Sequence, residues 1–375
     1  MEAVGITRLA NVTGLDCVGI PVYMAVRPNS RSLSVSQGKG IDRDAAKASA
    51  LMESIELWHA EHIQAPLRYD SPRALEREGS LLALEDYMLR DRALFRRDLP
   101  CNWIQGENLL DGKRVWVPFE MVNLNTVVPN GHFRTFGVSS NGLASGNHIL
   151  EAIVHAVLEL IERDSVTLFH QLTEAARAPR RVDETSIDDP ACIAMLEKLK
   201  NADLDAAVWD TKNDIGVPVY CAAIVDRQDR PSWRAIGLNV GYGAHLSPRI
   251  ALSRAITEAA QARLTVIAGS RDDNPPRTYV ETTRTSAIDA MRREYFCGTP
   301  AAQFDAQSRG TDSFDGDIEW MLDRLRAIGI TQVVAIPFTR PEFGLPVVRV
   351  IAPGLEQYHL APGYRPGRRA AAVRQ

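Results

Sequence analysis

Apolar positions recur along this chain in two distinct rhythms. Around GIPVYMAV at 19–26 and VPVYCAAIV at 217–225 they run together as β-branched and aromatic stretches, which predict strands, the second of a buried kind. Shorter runs at 114–118, 206–210, 332–336 and 346–351 predict further strands. Between them the spacing changes to three and four residues, predicting helices over about 42–62, 147–170, 190–201, from 248 onward and 316–328. Ser247 and Pro248 suit the N-cap and first position of the fourth. Three stretches rich in Gly and Ser precede helices and read as loops: SQGKG at 36–40, GVSSNGLASGN at 137–147 and GLNVGYGAHLSP at 237–248. Residues 66–110 predict a charged helical insertion, and 270–315 a polar, irregular, mobile flap. The tail from 361 holds four arginines and no acid, and predicts a solvated terminus. Helices alternating with strands give a mixed α/β or α+β fold, with the strand direction left open.

The helix from 147 breaks the ordinary amphipathic pattern. Of the 13 positions 149–161 ten are apolar, and only Glu151, His155 and Glu159 are polar. A helix apolar nearly all round is buried, and a buried carboxylate is costly unless it is paired or bound to metal. Glu151 and Glu162, eleven residues apart, fall within about 20° of each other around the axis. Glu159 neighbours Glu162, Asn147 extends the stripe by one turn, and His155 is placed to hydrogen-bond Glu151 and Glu159. The helix from 42 carries Ser49, Glu53 and Glu56 on one face among Ala, Leu, Met and Ile. The helix from 248 carries Arg254, Glu258 and Gln261 at the same spacing. Three such helices suggest convergence on one interior polar site.

Five glutamates gathered there (Glu53, Glu56, Glu151, Glu159, Glu162) could not all ionise unaided. Hard divalent cations resolve the conflict, and carboxylates with retained water suit Mg²⁺, which commonly arrives with phosphates. The Gly-rich stretches can offer backbone donors to anions, while Arg163 and Arg254 supply cationic clamps. The residues therefore point to a Mg²⁺–nucleotide site. It is not a P-loop, since GKG at 38–40 lacks the following Ser/Thr and the upstream Gly spacing, and no kinase or nucleophile-elbow signature occurs. Cys297 in YFCGTP reads as a packing residue.

Composition narrows the setting. Forty-three Lys plus Arg against 47 Asp plus Glu give −4, which removes the electrostatic case for a nucleic-acid or membrane-surface protein. No apolar run approaches the roughly 18 residues of a membrane span, and the N-terminus lacks signal-peptide features. Five scattered cysteines without a CxxC fit a reducing cytoplasm.

These residues resemble the YcaO-domain family, whose members use ATP to activate a peptide-backbone amide. The resemblance is carried by GITRLANVTGLDCVGIPV, SQGKGIDRDAAKASALMESIE, SGNHILEAIVHAVLELIERD, RAITEAAQAR and PGLE at 353–356. It implies a single catalytic domain over 1–360, an α+β YcaO-type fold, and a buried non-Walker Mg²⁺–ATP site lined by three glutamate-bearing helices. By motif, Ser49, Glu53, Asn147, Glu151, Arg163, Arg254 and Glu258 would bind the nucleotide, with Arg8 as the basic residue near the N-terminus. Glu53, Glu56, Glu151, Glu159 and Glu162 would hold Mg²⁺, and Arg163, Arg254 and Glu162 would serve catalysis.

The family's shared chemistry is O-phosphorylation of the amide, and the nucleophile sets the product: azoline, amidine or thioamide. Azoline-forming members commonly end in PxPxP, whereas this chain ends APGYRPGRRAAAVRQ. The opening GITRLANVTGLD and the VRPNSRSLSVSQGKG block look most like members that work with a TfuA partner in thioamidation. The expectation is thus thioamide formation in a precursor peptide or protein, with a TfuA-like partner, an external sulfur source and a separate leader-recognition protein; a homodimer is compatible. Azoline or amidine formation is the alternative. A non-catalytic ATP-binding subunit, or a ligase that makes an amide through an acyl phosphate, would differ in what phosphate release depends on.

Overall fold

Strands β1 (Arg8–Asn11), β2 (Val22–Val26) and β3 (Val35–Lys39) lead into helix α1 (Arg43–Glu61), in the structure of the chain, a computed structural model. Then follow β4 (Arg68–Asp70), the short α2 (Pro72–Leu75), β5 (Ser80–Leu81), β6 (Cys101–Asn108), β7 (Arg114–Pro118), β8 (Leu143–Ser145) and the long α3 (Ile149–Gln171). The short α4 (Glu174–Arg177) and α5 (Pro190–Asn201) precede β9 (Leu204–Asp210), β10 (Val219–Asp226), β11 (Asn239–Ala244) and α6 (Pro248–Ala268). The chain closes with α7 (Thr285–Tyr295), α8 (Phe314–Ala327), β12 (Val334–Pro337), β13 (Val347–Ile351) and α9 (Arg368–Val373). The structure describes residues 1–84, 95–127, 135–227, 236–271, 273, 277, 279–280, 283–361 and 363–374.

Two compact units divide these elements. The first comprises Met1–Ser54, Leu172–Asn213 and Val217–Arg309, and the second Ile55–Gln171, Asp214–Gly216 and Gly310–Gln375. In the second unit the sheet order is β5-β7-β6-β12-β13-β8, with β4 also paired to β6; among the described residues only β5 and β7 run parallel. Helix α3 packs on β8 and β13, and α8 and α9 pack on α3.

The first unit is built twice. Antiparallel β1-β2-β3 feeds α1, and antiparallel β9-β10-β11 feeds α6. The edge strands and helices correspond at a constant offset of 205 residues: Gly38 to Gly243, Arg43 to Pro248, Glu53 to Glu258. The hairpin register agrees too, because Val22 faces Lys39 and Val219 faces Ala244. Cores of Val22, Met24, Val35 and Leu264, and of Val208, Ala222, Ile224, Ala251 and Ala255, fill this unit.

Two segments expected as loops, SQGKG and the start of GLNVGYGAHLSP, are these edge strands. Their glycines permit contact rather than turning. A Cβ on Gly38 would stand 2.0 Å from Ala50 N and 2.4 Å from Ala46 O; on Gly243 it would stand 2.2 Å from Ala251 O and 2.6 Å from Ala255 N. Only a bare Cα lets helix and strand meet this closely.

Three other expectations are corrected. The stretch 66–110 is not helical where described: it supplies β4, β5 and β6 with only the four-residue α2, and 85–94 lie outside the described residues. Its exposed charges sit mostly in α2 and the loops, at Arg73, Glu76, Arg77, Glu78, Arg96, Arg97 and Asp98, where they imitate a solvated helix. Residues 285–298, expected within the flap, form α7 and its cap. Ile288, Met291 and Phe296 pack on Ala223 and Val225, and Arg181 Nη1 donates to the carbonyls of Phe296 (3.0 Å) and Gly298 (2.7 Å). The tail is fastened, not solvated. Arg369 pairs with the buried Asp164 at 3.0 Å, and Glu356 accepts from Gly367 N at 2.9 Å and Ala370 N at 2.8 Å.

Candidate active site

Each glutamate helix presents at least one carboxylate to the backbone that precedes it. In the first unit, β3 and β11 are edge strands, so their outward N–H groups lack a strand partner. Gln37 N–H donates to Glu53 Oε2 at 2.9 Å, and Tyr242 N–H to Glu258 Oε1 at 3.4 Å. Lys39 Nζ reaches Glu258 Oε2 at 2.6 Å. Burial pushes the Glu53 carboxyl above its usual range, and nearby Glu258 adds to the rise, while the Gln37 N–H, Arg271 and Lys39 oppose it. Ser49 is half-buried on α1, one turn before Glu53. Arg254 is exposed on α6, and its guanidinium has no ion-pair partner among the described residues. Arg8 is exposed on β1. Ser247 takes the N-cap position of α6 as expected, although its hydroxyl makes no capping bond.

In the second unit, Ser145 Oγ donates to Glu56 Oε1 at 2.5 Å. His155 is exposed, with Nδ1 3.2 Å from the Ser145 carbonyl. Asn147 gives Glu151 Oε2 both its backbone N–H (2.6 Å) and its side-chain amide (3.0 Å). Gly142 N–H donates to Glu159 Oε2 at 3.1 Å. Arg163 lies 3.7 Å from the buried Glu162 and 4.0 Å from Glu159, with its guanidinium 5.2 Å from the Tyr358 ring centroid. Glu53 and Glu56, three residues apart on α1, fall to different units.

Glu53, Lys39 and Glu258 thus come together in the first unit, and Glu159, Glu162 and Arg163 in the second. Sequence spacing missed Gln37, Lys39, Gly142, Ser145 and Tyr358. Lys39 stood in plain view in GKG, but only folding pairs it with a residue over two hundred positions away. Tyr358 had no signal, because its partner lies on a different element.

The donor set fits Mg²⁺ in a particular way. Among the described residues no three His, Cys, Asp or Glu side chains form a metal cage. Mg²⁺ does not need one: it binds through one or two carboxylates and completes its shell with water and phosphate oxygens. Oxygen-only donors beside exposed or half-buried guanidinium groups suit a cation that arrives with a polyphosphate.

Residues 37–356 match the family profile described as "YcaO cyclodehydratase, ATP-ad Mg2+-binding". The chain belongs to the YcaO family. ATP and Mg²⁺ are accordingly the cofactors of this YcaO protein. It is 38% identical over 94% of its length to the "Uncharacterized protein in tfuA 3'region" of Rhizobium leguminosarum bv. trifolii, covering 84% of that protein. Its fold matches the YcaO of Methanopyrus kandleri bound with AMPPCP and Mg²⁺ at a TM-score of 0.72, with 22% identity over 97% of this chain and 90% of that one. A heterocyclase in complex with substrate and cofactor matches at 0.75, with 23% identity over 94% of this chain. The YcaO chain spans about half (50%) of that heterocyclase's length. The mixed α+β expectation is met. Among the described residues no helix is long and apolar enough to cross a membrane.

Proposed function

We propose that this YcaO protein activates a backbone amide of a peptide or protein with ATP and, with sulfide as nucleophile, converts it to a thioamide. The observation that carries the thioamide assignment is the relative encoded in the tfuA 3′ region, 38% identical over 94% of the chain. It supports a TfuA-like partner that delivers sulfur.

Bound Mg²⁺ would draw charge from the transferring phosphoryl group, and Glu53, Glu56, Glu151, Glu159 and Glu162 are the residues that would hold it. Arg163 and Arg254, with Ser49, Asn147, Glu258 and Arg8, would bind the nucleotide. Glu162 is buried beside Arg163, so its charge orients that guanidinium as well as serving the metal. Sulfide adds to the amide carbon, and the amide oxygen takes the γ-phosphoryl group as ADP departs. Loss of that oxygen as phosphate leaves the carbon–sulfur double bond.

Mass spectrometry of a reconstituted reaction with precursor peptide, partner, ATP and sulfide separates the products. Replacing oxygen by sulfur adds about 16 Da, whereas azoline formation removes one water, about 18 Da. A peptide core stripped of Cys, Ser and Thr should still be thioamidated. A reaction giving only the water-loss product, whatever sulfide is supplied, would leave cyclodehydration as the activity.

A further inference from the structure

Helix α3 and the segment 356–359 are stitched together along one stripe. Arg163, Thr167 and His170 fall at i, i+4 and i+7 on α3, so they share a face. The chain is pinned over that face. Glu356 N–H donates to Asp164 Oδ1 at 2.8 Å, Thr167 Oγ1 donates to the Gln357 carbonyl at 2.7 Å, and His359 N–H donates to Thr167 Oγ1 at 3.1 Å. Tyr358 is therefore held by its backbone on both sides. Its ring meets the His359 ring edge-on at 5.0 Å, and that ring lies 4.2 Å from the ring of His170.

The effect of this arrangement falls on Arg163. Its guanidinium carbon stands 5.2 Å from the Tyr358 ring centroid, inside cation–π range. Its ion pairs with Glu162 and Glu159 measure 3.7 and 4.0 Å, longer than the roughly 2.7–2.9 Å of a charge-assisted hydrogen bond. At that range the carboxylates decide where the positive charge sits, but a Coulomb attraction does not choose the plane of the group. A ring face does, because a flat guanidinium stacks against it. The plane is also what arginine offers a phosphoryl group and lysine does not.

We propose that Tyr358 is a positioning residue for the reaction: its ring orients the Arg163 fork towards the transferring phosphoryl group, and Thr167 holds the ring in place. This rests on the reading of Arg163 as a phosphate clamp. Misaligning a group that acts on the phosphoryl in transit lowers kcat and leaves the KM for ATP nearly unchanged.

The test is steady-state phosphate release by the full chain in the reconstituted reaction with precursor peptide, partner, sulfide and Mg²⁺, with ATP varied. In Y358L, kcat should fall about 3- to 30-fold while KM for ATP stays within about 2-fold. Y358F keeps the ring face and should hold kcat within about 2-fold of wild type. T167V, which removes the oxygen that pins the segment, should lower kcat in the same direction, and T167S, which keeps it, should not. The decisive comparison is made in R163K, which retains the charge and has no plane to orient. There Y358L should change kcat by about 2-fold at most. A tyrosine that merely packs the fold would cost the same beside arginine and lysine, and that result would overturn the proposal. So would wild-type kcat in Y358L, or a loss in Y358F as large as that in Y358L. If Y358L fails to fold, T167V and T167S in the arginine and lysine backgrounds carry the same comparison. Unchanged kcat in R163K alone would overturn the clamp reading and the proposal with it.

Discussion

Replacing Arg369 by Ala tests whether the C-terminal tail holds the α3 helix. Asp164 is fully buried, and Arg369 meets it with Nε on Oδ1 at 3.0 Å and Nη2 on Oδ2 at 3.0 Å. The same guanidinium reaches Asp214 at 2.5 Å, but that carboxylate is largely exposed and its pair is worth roughly 0–1 kcal/mol. Removing the arginine strands the Asp164 charge, which costs about 3–5 kcal/mol when one partner of a buried pair is lost. In thermal unfolding the unit containing α3 should melt about 6–20 °C lower. Burial already raises the Asp164 carboxyl, and Arg369 is the main influence opposing it. In R369A the folded-state value rises further above the unfolded one, so the native state binds the extra proton. The cost should therefore grow as pH climbs from the wild type's raised value through the variant's still higher one, and shrink in acid, where Asp164 is neutral in both proteins. D164N combined with R369A should recover most of the loss, since the amide oxygen still accepts Glu356 N–H, 2.8 Å away in the wild type. Because Glu159, Glu162 and Arg163 share the helix, ATP turnover should fall with the tail contact. A cost below about 1 kcal/mol, or one flat with pH, would refute the reasoning.

Other outcomes follow from the carboxylates and the free arginine. Because burial holds Glu53 above its ordinary 4.5, the apoprotein loses stability as pH rises through that window, and E53Q should gain on wild type there and level off above it; parallel melting curves at all pH values would remove the buried charge. E159Q keeps an oxygen for Gly142 N–H while E159A does not, so E159A alone should destabilise, by about 1 kcal/mol, whereas both should lose Mg²⁺-dependent ATP turnover; full turnover in E159Q would end its metal role. Arg254 is exposed and unpaired among the described residues, so R254K should change stability by no more than about 0.5 kcal/mol, yet lower turnover by losing the planar fork, and unchanged turnover would make it peripheral.

The long elements were legible because their periodicity is strong and local. The helix at 190–201 appears as Pro190–Asn201, and those at 42–62 and 147–170 as Arg43–Glu61 and Ile149–Gln171. The glycine strands were not legible, because Gly38 and Gly243 carry the same letter whether they turn a loop or admit a helix at 2.0–2.2 Å. Only the helix positions opposite, Ala46 with Ala50 and Ala251 with Ala255, distinguish the cases, and they act through space. The tail misled for a related reason: Arg369 looks solvated until Asp164, on an element far earlier in the chain, is seen to be buried. The glutamate stripes were legible as chemistry, since acidic residues in apolar helices demand a partner whatever the tertiary arrangement.

What the structure adds to those stripes is the identity of the protein partner. Glu53 and Glu258 close the outward N–H groups of edge strands, Glu159 takes an N–H from the turn before β8, and Glu151 takes one at the start of its own helix. An edge strand left open is a template for unwanted pairing, and a carboxylate turned upon it removes that hazard. Each of these bonds also fixes one carboxylate oxygen in direction. A ligand held this way loses little freedom when a cation arrives, which is how a site without a complete protein cage can still bind metal and polyphosphate together. The backbone contact and the proposed Mg²⁺ role are therefore not rival explanations for the same glutamates. The repeat in the first unit makes the point sharply: the same strand-to-helix bond recurs at Glu53 and Glu258, while the surrounding side chains differ, Lys39 against Ala244 and Glu56 against Gln261. The shared bond belongs to the architecture, and the differences lie in the side chains around it.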